Sequence, residues 1–130
     1  MKKCLLFILV VLLIFSCKKV KFEPEGPTDV RIRNLTTSAM TNLKVNTGGG
    51  EYLFGDLGSM GLTSYHRFDK AYPKANISAY IGNQKYMTDT IATYAYMQYM
   101  GLMKITYSIW VQGNKLVISS VTPDDTIKIK

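Results

Sequence analysis

This sequence predicts an all-β fold, a single antiparallel β-sandwich of seven or eight short strands. Three observations predict it. Apolar and polar side chains alternate with period two in several runs. Those runs are rich in Thr, Val, Ile and Tyr, the residues that suit a pleated, half-buried surface. Turn residues separate them at intervals of about ten residues, the rhythm of a sandwich. A closed barrel is the runner-up, and no internal repeat points to a solenoid.

Taken in order, the strands begin near Asp29, where Val30 and Ile32 oppose Arg31 and Arg33. Leu43 and Val45 flank Lys44, and the triplet Gly48-Gly49-Gly50 then breaks the chain. Tyr52–Leu57 and Leu62–Phe68 read as the next two strands. In Asn76–Ile81 the residues Ile77, Ala79 and Ile81 share a parity opposite to Ser78 and Tyr80. Gly82-Asn83 follows as a two-residue primed turn into Gln84–Thr90. The clearest strand is Lys104–Val111, with Ile105, Tyr107, Ile109 and Val111 on one face. Gly113-Asn114 turns it into Lys115–Val121.

Ahead of the domain, Met1-Lys2-Lys3 is a short positive start and Cys4–Phe15 is an unbroken apolar run. Ile14-Phe15-Ser16-Cys17 closes it, which is the build of a secretory signal peptide. A run of about a dozen apolar residues is too short for a membrane-spanning helix, which needs ~20. The ending resembles the lipobox of bacterial lipoproteins. That resemblance implies cleavage after residue 16, lipidation of Cys17 and three acyl chains at the new N-terminus, more than the two signals that stable anchoring needs. The leader and the Cys-Lys-Lys start are similar to those of Bacteroidetes-type lipoproteins. Lys18, Lys19, Val20 and Lys21 stand where surface-exported members carry an acidic run, so the resemblance implies a periplasm-facing protein anchored in the outer membrane.

Residues 17–28 read as a lipidated tether, with Pro24, Gly26 and Pro27 and no apolar periodicity, and residues 29–130 as one domain. Once Cys4 leaves with the leader and Cys17 is capped, no thiol remains for a disulfide, a metal or a nucleophile. The fold then rests on its own core.

A second resemblance rests on Val45–Gly50, on Phe54-Gly55-Asp56-Leu57, and on Thr63-Ser64-Tyr65 with Phe68 and Ala71-Tyr72. These stretches resemble a group of small Bacteroidetes-type envelope lipoproteins. The likeness implies an immunoglobulin- or transthyretin-like sandwich and brings no activity with it.

Removing Lys2 and Lys3 from the 16 basic residues leaves 14 against 9 acidic ones, a formal charge of +5. Much of the excess is local, at Lys18, Lys19 and Lys21 and at Lys128 and Lys130. No basic stripe interleaved with aromatics is present, so nucleic acid is not the expected partner. Attraction to anionic lipid is the simpler expectation.

Catalytic chemistry finds little footing. His66 is the only histidine, and its parity with Leu62 and Phe68 places it on a core-facing strand face. Ser64, Asp56 and His66 would be a nucleophile set only with a nucleophile elbow, and no Gly-x-Ser-x-Gly is present. Glu51, Asp56, Asp69 and Asp89 are scattered rather than paired. Neither an enzyme nor a cofactor is expected.

The unusual stretch is Tyr94–Met103, with three tyrosines and three methionines in ten residues and no strand period. It predicts a partly exposed loop. There Tyr94, Tyr96, Tyr99 and Met100 offer an apolar surface for an envelope protein. Two alternatives stay open. Met97, Met100 and Met103, joined by His66, are the soft ligands that select Cu(I). Coplanar aromatics among Tyr65, Tyr80, Tyr86, Tyr94, Tyr96, Tyr99 and Trp110 would instead offer platforms for a glycan.

Overall fold

Thr28, Val30, Ile32 and Asn34 are fully buried while Asp29, Arg31 and Arg33 point the other way, so the alternation in the sequence separates two faces of one strand. The computed structural model describes residues 26–125. The expected leader, the lipidation expected at Cys17 and the tether up to residue 25 lie outside the described residues, as do 126–130. Eight strands occupy the described residues: β1 (Thr28–Asn34), β2 (Met40–Asn46), β3 (Glu51–Leu57), β4 (His66–Phe68), β5 (Asn76–Ile81), β6 (Gln84–Met87), β7 (Lys104–Gln112) and β8 (Lys115–Asp125). Thr28, the last residue of the stretch read as tether, already belongs to β1, and its hydroxyl donates to the Gly101 carbonyl.

The strands form two four-stranded sheets, ordered β4-β1-β7-β8 and β3-β2-β5-β6. The architecture is therefore all-β and sandwich-like, with two sheets rather than one closed barrel. One pairing departs from the antiparallel expectation. β1 and β7 run parallel over six register positions, from Asp29↔Lys104 to Asn34↔Ile109. The chain reverses at every connection, so odd-numbered strands all run one way. β1 and β7 are the two odd strands that meet, while every other neighbouring pair joins an odd to an even strand.

The same reversals sort the loops onto two ends. The chain enters β1 at one end, together with loops 47–50, 69–75 and 88–103. Loops 35–39 and 58–65 occupy the other, and two Gly-Asn turns close the β5–β6 and β7–β8 hairpins, with Lys115 just after the second reaching Asp89 of the 88–103 loop. At those turns Gly82 (φ 60°) and Gly113 (φ 63°) take the left-handed conformation and the asparagines after them do not, which makes type II′ turns of the two expected hairpins. At the entry end Gly49 is required by crowding. A Cβ there would lie 2.5 Å from the Lys70 backbone nitrogen, where Thr47 also donates to the Lys70 carbonyl at 2.7 Å.

The core lies between the sheets. Val30 and Ile32 face Leu43, Val45, Ile77 and Ala79 across the gap, with Ile105, Tyr107 and Ile109 from the central strand β7 beside them, all 1% exposed or less. Tyr107 is the largest of these. Its hydroxyl donates to the Tyr72 carbonyl, and burial pushes its pKa far above the usual tyrosine value.

The expected Leu62–Phe68 strand is shorter than its pattern. Leu62 makes an isolated bridge to Arg33 and Thr63 exchanges hydrogen bonds with Ile32, after which the chain leaves the sheet and rejoins β1 only at His66. Thr63 donates its hydroxyl to the Ser64 carbonyl at 2.8 Å, a local bond that competes with the ladder.

Candidate functional site

The 88–103 crossover carries the β6 edge of one sheet to β7 at the centre of the other, across the end where the chain enters. It is tied down along its length. Ile91 donates to Asn76 Oδ1 at 3.0 Å, Met100 donates to the Ala71 carbonyl at 2.8 Å, and Asp29 donates to the Met103 carbonyl at 2.9 Å. Tyr94 packs over Gly48, where any Cβ would approach its ring to 2.8 Å. The Tyr72 ring lies 4.6 Å from Tyr94 and 5.1 Å from Tyr99, so three tyrosines form one cluster. Burial raises the Tyr94 pKa above its usual value. Lys70 sits 4.9 Å above the Tyr99 ring.

The residues expected at this surface thus divide. Tyr96 is 96% exposed, whereas Tyr94, Tyr99 and Met100 are half-buried and hold the loop to the body. Leu102, which nothing in the sequence pattern singled out, is 54% exposed beside the entry point. Met100 and Met103 pack against the core cluster, while His66 is engaged with aromatic rings. Among the described residues no group of three or more His, Cys, Asp or Glu could hold a metal ion.

His66 lies on the side of the sandwich where β3 and β4 are the sheet edges. It stacks on Tyr52 with centroids 3.6 Å apart and planes 9° from parallel, and Phe68 meets it edge-on at 4.9 Å. It is half-buried in an aromatic cluster rather than packed in the core. Next to it is a cleft of about 330 Å³ lined by Tyr52, Phe54, Asp56, Thr63, Ser64 and Tyr65. The cleft brings Asp56 and Ser64 together, but among the described residues no hydrogen bond links either to His66.

The outer face of the β4-β1-β7-β8 sheet carries a polar network that the sequence pattern did not disclose. Asp124 accepts from Tyr65 Oη at 2.7 Å and from the Thr106 hydroxyl, and Arg31 approaches it to 3.4 Å. Arg31 Nε donates to Thr106 Oγ1 at 2.9 Å, and its guanidinium lies 4.8 Å over the Tyr65 ring. Burial alone would raise the Asp124 pKa, but Thr106, Tyr65 and Arg31 outweigh it and hold the carboxyl below the usual range. Asp29 is lowered by its forked contact with Arg67. Outward parity of Arg31 and Thr106 was visible in the sequence. Their adjacency was not, because it depends on the parallel β1–β7 pairing.

No protein-family model matches the chain, and no curated protein matches it. Among solved structures it is similar to a protein from Eubacterium rectale determined by NMR. The two are 15% identical, the match covers 87% of this chain and 99% of that one, and the TM-score is 0.46.

Proposed function

We propose that this chain is a non-enzymatic lipoprotein of the bacterial cell envelope, anchored in the outer membrane through Cys17 and facing the periplasm, whose sandwich is a binding scaffold. The observation that carries the reading is the Ile14-Phe15-Ser16-Cys17 lipobox behind an apolar run, followed by a domain whose eight strands all lie within residues 28–125. Acylation of Cys17 supplies the membrane affinity. Cys17→Ala is expected to abolish incorporation of an alkyne fatty acid and to leave the protein unanchored. Label retained in the variant, with Cys4 intact, would sink the reading.

Of the two sandwich types that the resemblance implies, the strand order favours the transthyretin-like one. An immunoglobulin constant-type sandwich sets its first two strands side by side. Here β1 and β2 belong to different sheets.

The ligand is read first as an envelope protein. A glycan is the second reading, and the edge cleft favours it. Tyr52, with one face covered by His66, lines that cleft beside the Asp56 carboxylate and the Ser64 hydroxyl, and apolar ring faces with a few convergent polar groups are what a sugar site needs. On a glycan array, binding is expected to vanish in Asp56→Ala while the folded signal stays. Binding that survives that change, or no glycan bound at all, leaves a protein as the partner.

A further inference from the structure

From the entry end of the sandwich we infer that the 88–103 crossover is a docking surface for an anionic phospholipid bilayer, which holds the domain upright on the membrane that anchors it. The inference rests on the lipoprotein reading for its setting. Its own support is the make-up and placement of this end.

From Thr90 to Met103 the crossover carries no charged residue, yet it lies on the outside of a domain rich in lysine. Two large side chains project from it, Tyr96 at 96% and Leu102 at 54% exposure. Tyr94, Tyr99 and Met100 fix the backbone beneath them, so these two are presented without much ordering on contact. Tyrosine with an aliphatic neighbour suits the headgroup level of a bilayer, where one part of a side chain is wet and the other apolar.

Basic residues flank the apolar tip. Lys70 and Lys74 are exposed on the adjoining 69–75 loop, and Lys104 follows the crossover directly. The acids around them are mostly engaged: Glu51 pairs with Lys44 at 3.1 Å, Asp89 with Lys115 at 2.6 Å and Asp29 with Arg67 at 2.9 Å. Two further acids belong to this end, Asp69 and Asp125, the latter opposite Lys104 in the β7–β8 register, so Lys70, Lys74 and Lys104 exceed them by one. The resulting field favours a negative surface.

The chain also enters here. A Cβ on Gly26 would lie 3.2 Å from Leu102 Cβ, so the first described residue of the tether runs beside the exposed leucine. Eight residues lie between Cys17 and Gly26, and the nine steps reach at most ~32 Å. Lys18, Lys19 and Lys21 lie within that span. An anchor this short delivers the 88–103 end, rather than the opposite one, to the lipid.

The test uses residues 18–130, which retain the tether and all eight strands but neither leader nor acyl chain. This chain is expected to sediment with vesicles of equal parts phosphatidylcholine and phosphatidylglycerol and to stay in solution with phosphatidylcholine alone. The pairs Tyr96→Ser with Leu102→Ser, and Lys70→Gln with Lys74→Gln, should each lower the partition coefficient by about ten-fold. Their circular dichroism should match the wild type, since these side chains are exposed. Failure to bind anionic vesicles would overturn the inference while leaving fatty-acid labelling of Cys17 as a separate matter. Binding indifferent to both pairs and lost only when Lys18, Lys19 and Lys21 become Gln would overturn it too, in favour of the tether alone. Self-association without vesicles, abolished by the Tyr96 and Leu102 changes, would assign the surface to a second copy instead.

Discussion

Asn34→Asp is expected to destabilise the domain by about 3–5 kcal/mol at neutral pH, the cost of leaving a buried charge without a partner. Asn34 is fully buried at the end of β1. Its Nδ2 donates to the Ser38 carbonyl at 2.8 Å and the Gly58 carbonyl at 3.1 Å, while Oδ1 accepts from Thr36 N at 2.9 Å and Thr36 Oγ1 at 2.7 Å. One side chain thus binds the 35–39 and 58–65 loops together. A carboxylate keeps the two acceptor contacts but turns an oxygen toward two carbonyls. Burial and those carbonyls raise its folded pKa above the unfolded ~3.9. The sign follows: the full penalty holds above the raised folded value, falls as pH drops through it, and is least below the unfolded value, where a neutral acid can donate to one carbonyl. Urea midpoints of both proteins at pH 7 and pH 4 check this. An equal penalty at the two pH values would remove Asn34 from its role as a donor hub.

Ile109→Ala is expected to cost about 2–5 kcal/mol, a large part of the ~5–15 kcal/mol that holds a domain together. Ile109 is fully buried in β7, opposite Asn34 on β1 and Ile118 on β8. Its neighbour Trp110 points outward and is 41% exposed. Trp110→Ser should therefore shift the thermal midpoint far less, despite removing the larger side chain. Comparable losses at the two positions, read from denaturant titrations, would mean that the parity of β7 is wrong.

What was legible in the sequence was what is local. Gly82-Asn83 and Gly113-Asn114 encode their own hairpins because the turn needs one left-handed residue, and only two residues decide it. Burial parity in Val30–Ile32, Leu43–Val45 and Ile77–Ala79 followed from the pleat, whereas in Ile105–Ile109 the outward Thr106 and Ser108 are buried as well. The rest depends on residues far apart in sequence. Nothing near Arg31 announces Thr106, 75 positions on, or Tyr65, because the network around Asp124 exists only where β1 and β7 lie side by side. Nothing in the sequence pattern singles out Asn34, since its role is set by two loop carbonyls that it meets in space. The crossover was noticed for its composition, but composition did not separate Tyr96, which is free in solvent, from Tyr94 and Tyr99, which hold the loop down. Nor did the periodicity of Leu62–Phe68 disclose the excursion between Thr63 and His66, where a side-chain hydrogen bond displaces the ladder.

The place of β1 would have a mechanical consequence under the proposed lipid anchor at Cys17. Any pull transmitted through the tether arrives first at Thr28, whose hydroxyl is fastened to Gly101. It then runs along the axis of a strand clamped on both sides, by β4 over three register positions and by β7 over six. If a bound partner grips the far end of the domain, the load draws β1 lengthwise past β7, so the ladder bonds share the force and must yield together. A strand at a sheet edge, drawn sideways from one end, would instead open bond by bond. Lifetime under load follows the height of the unfolding barrier rather than equilibrium stability. Were Cys17 lipidated as proposed, the interior position of β1 would let the domain transmit tension between the membrane and a bound partner without unravelling from the end that is pulled.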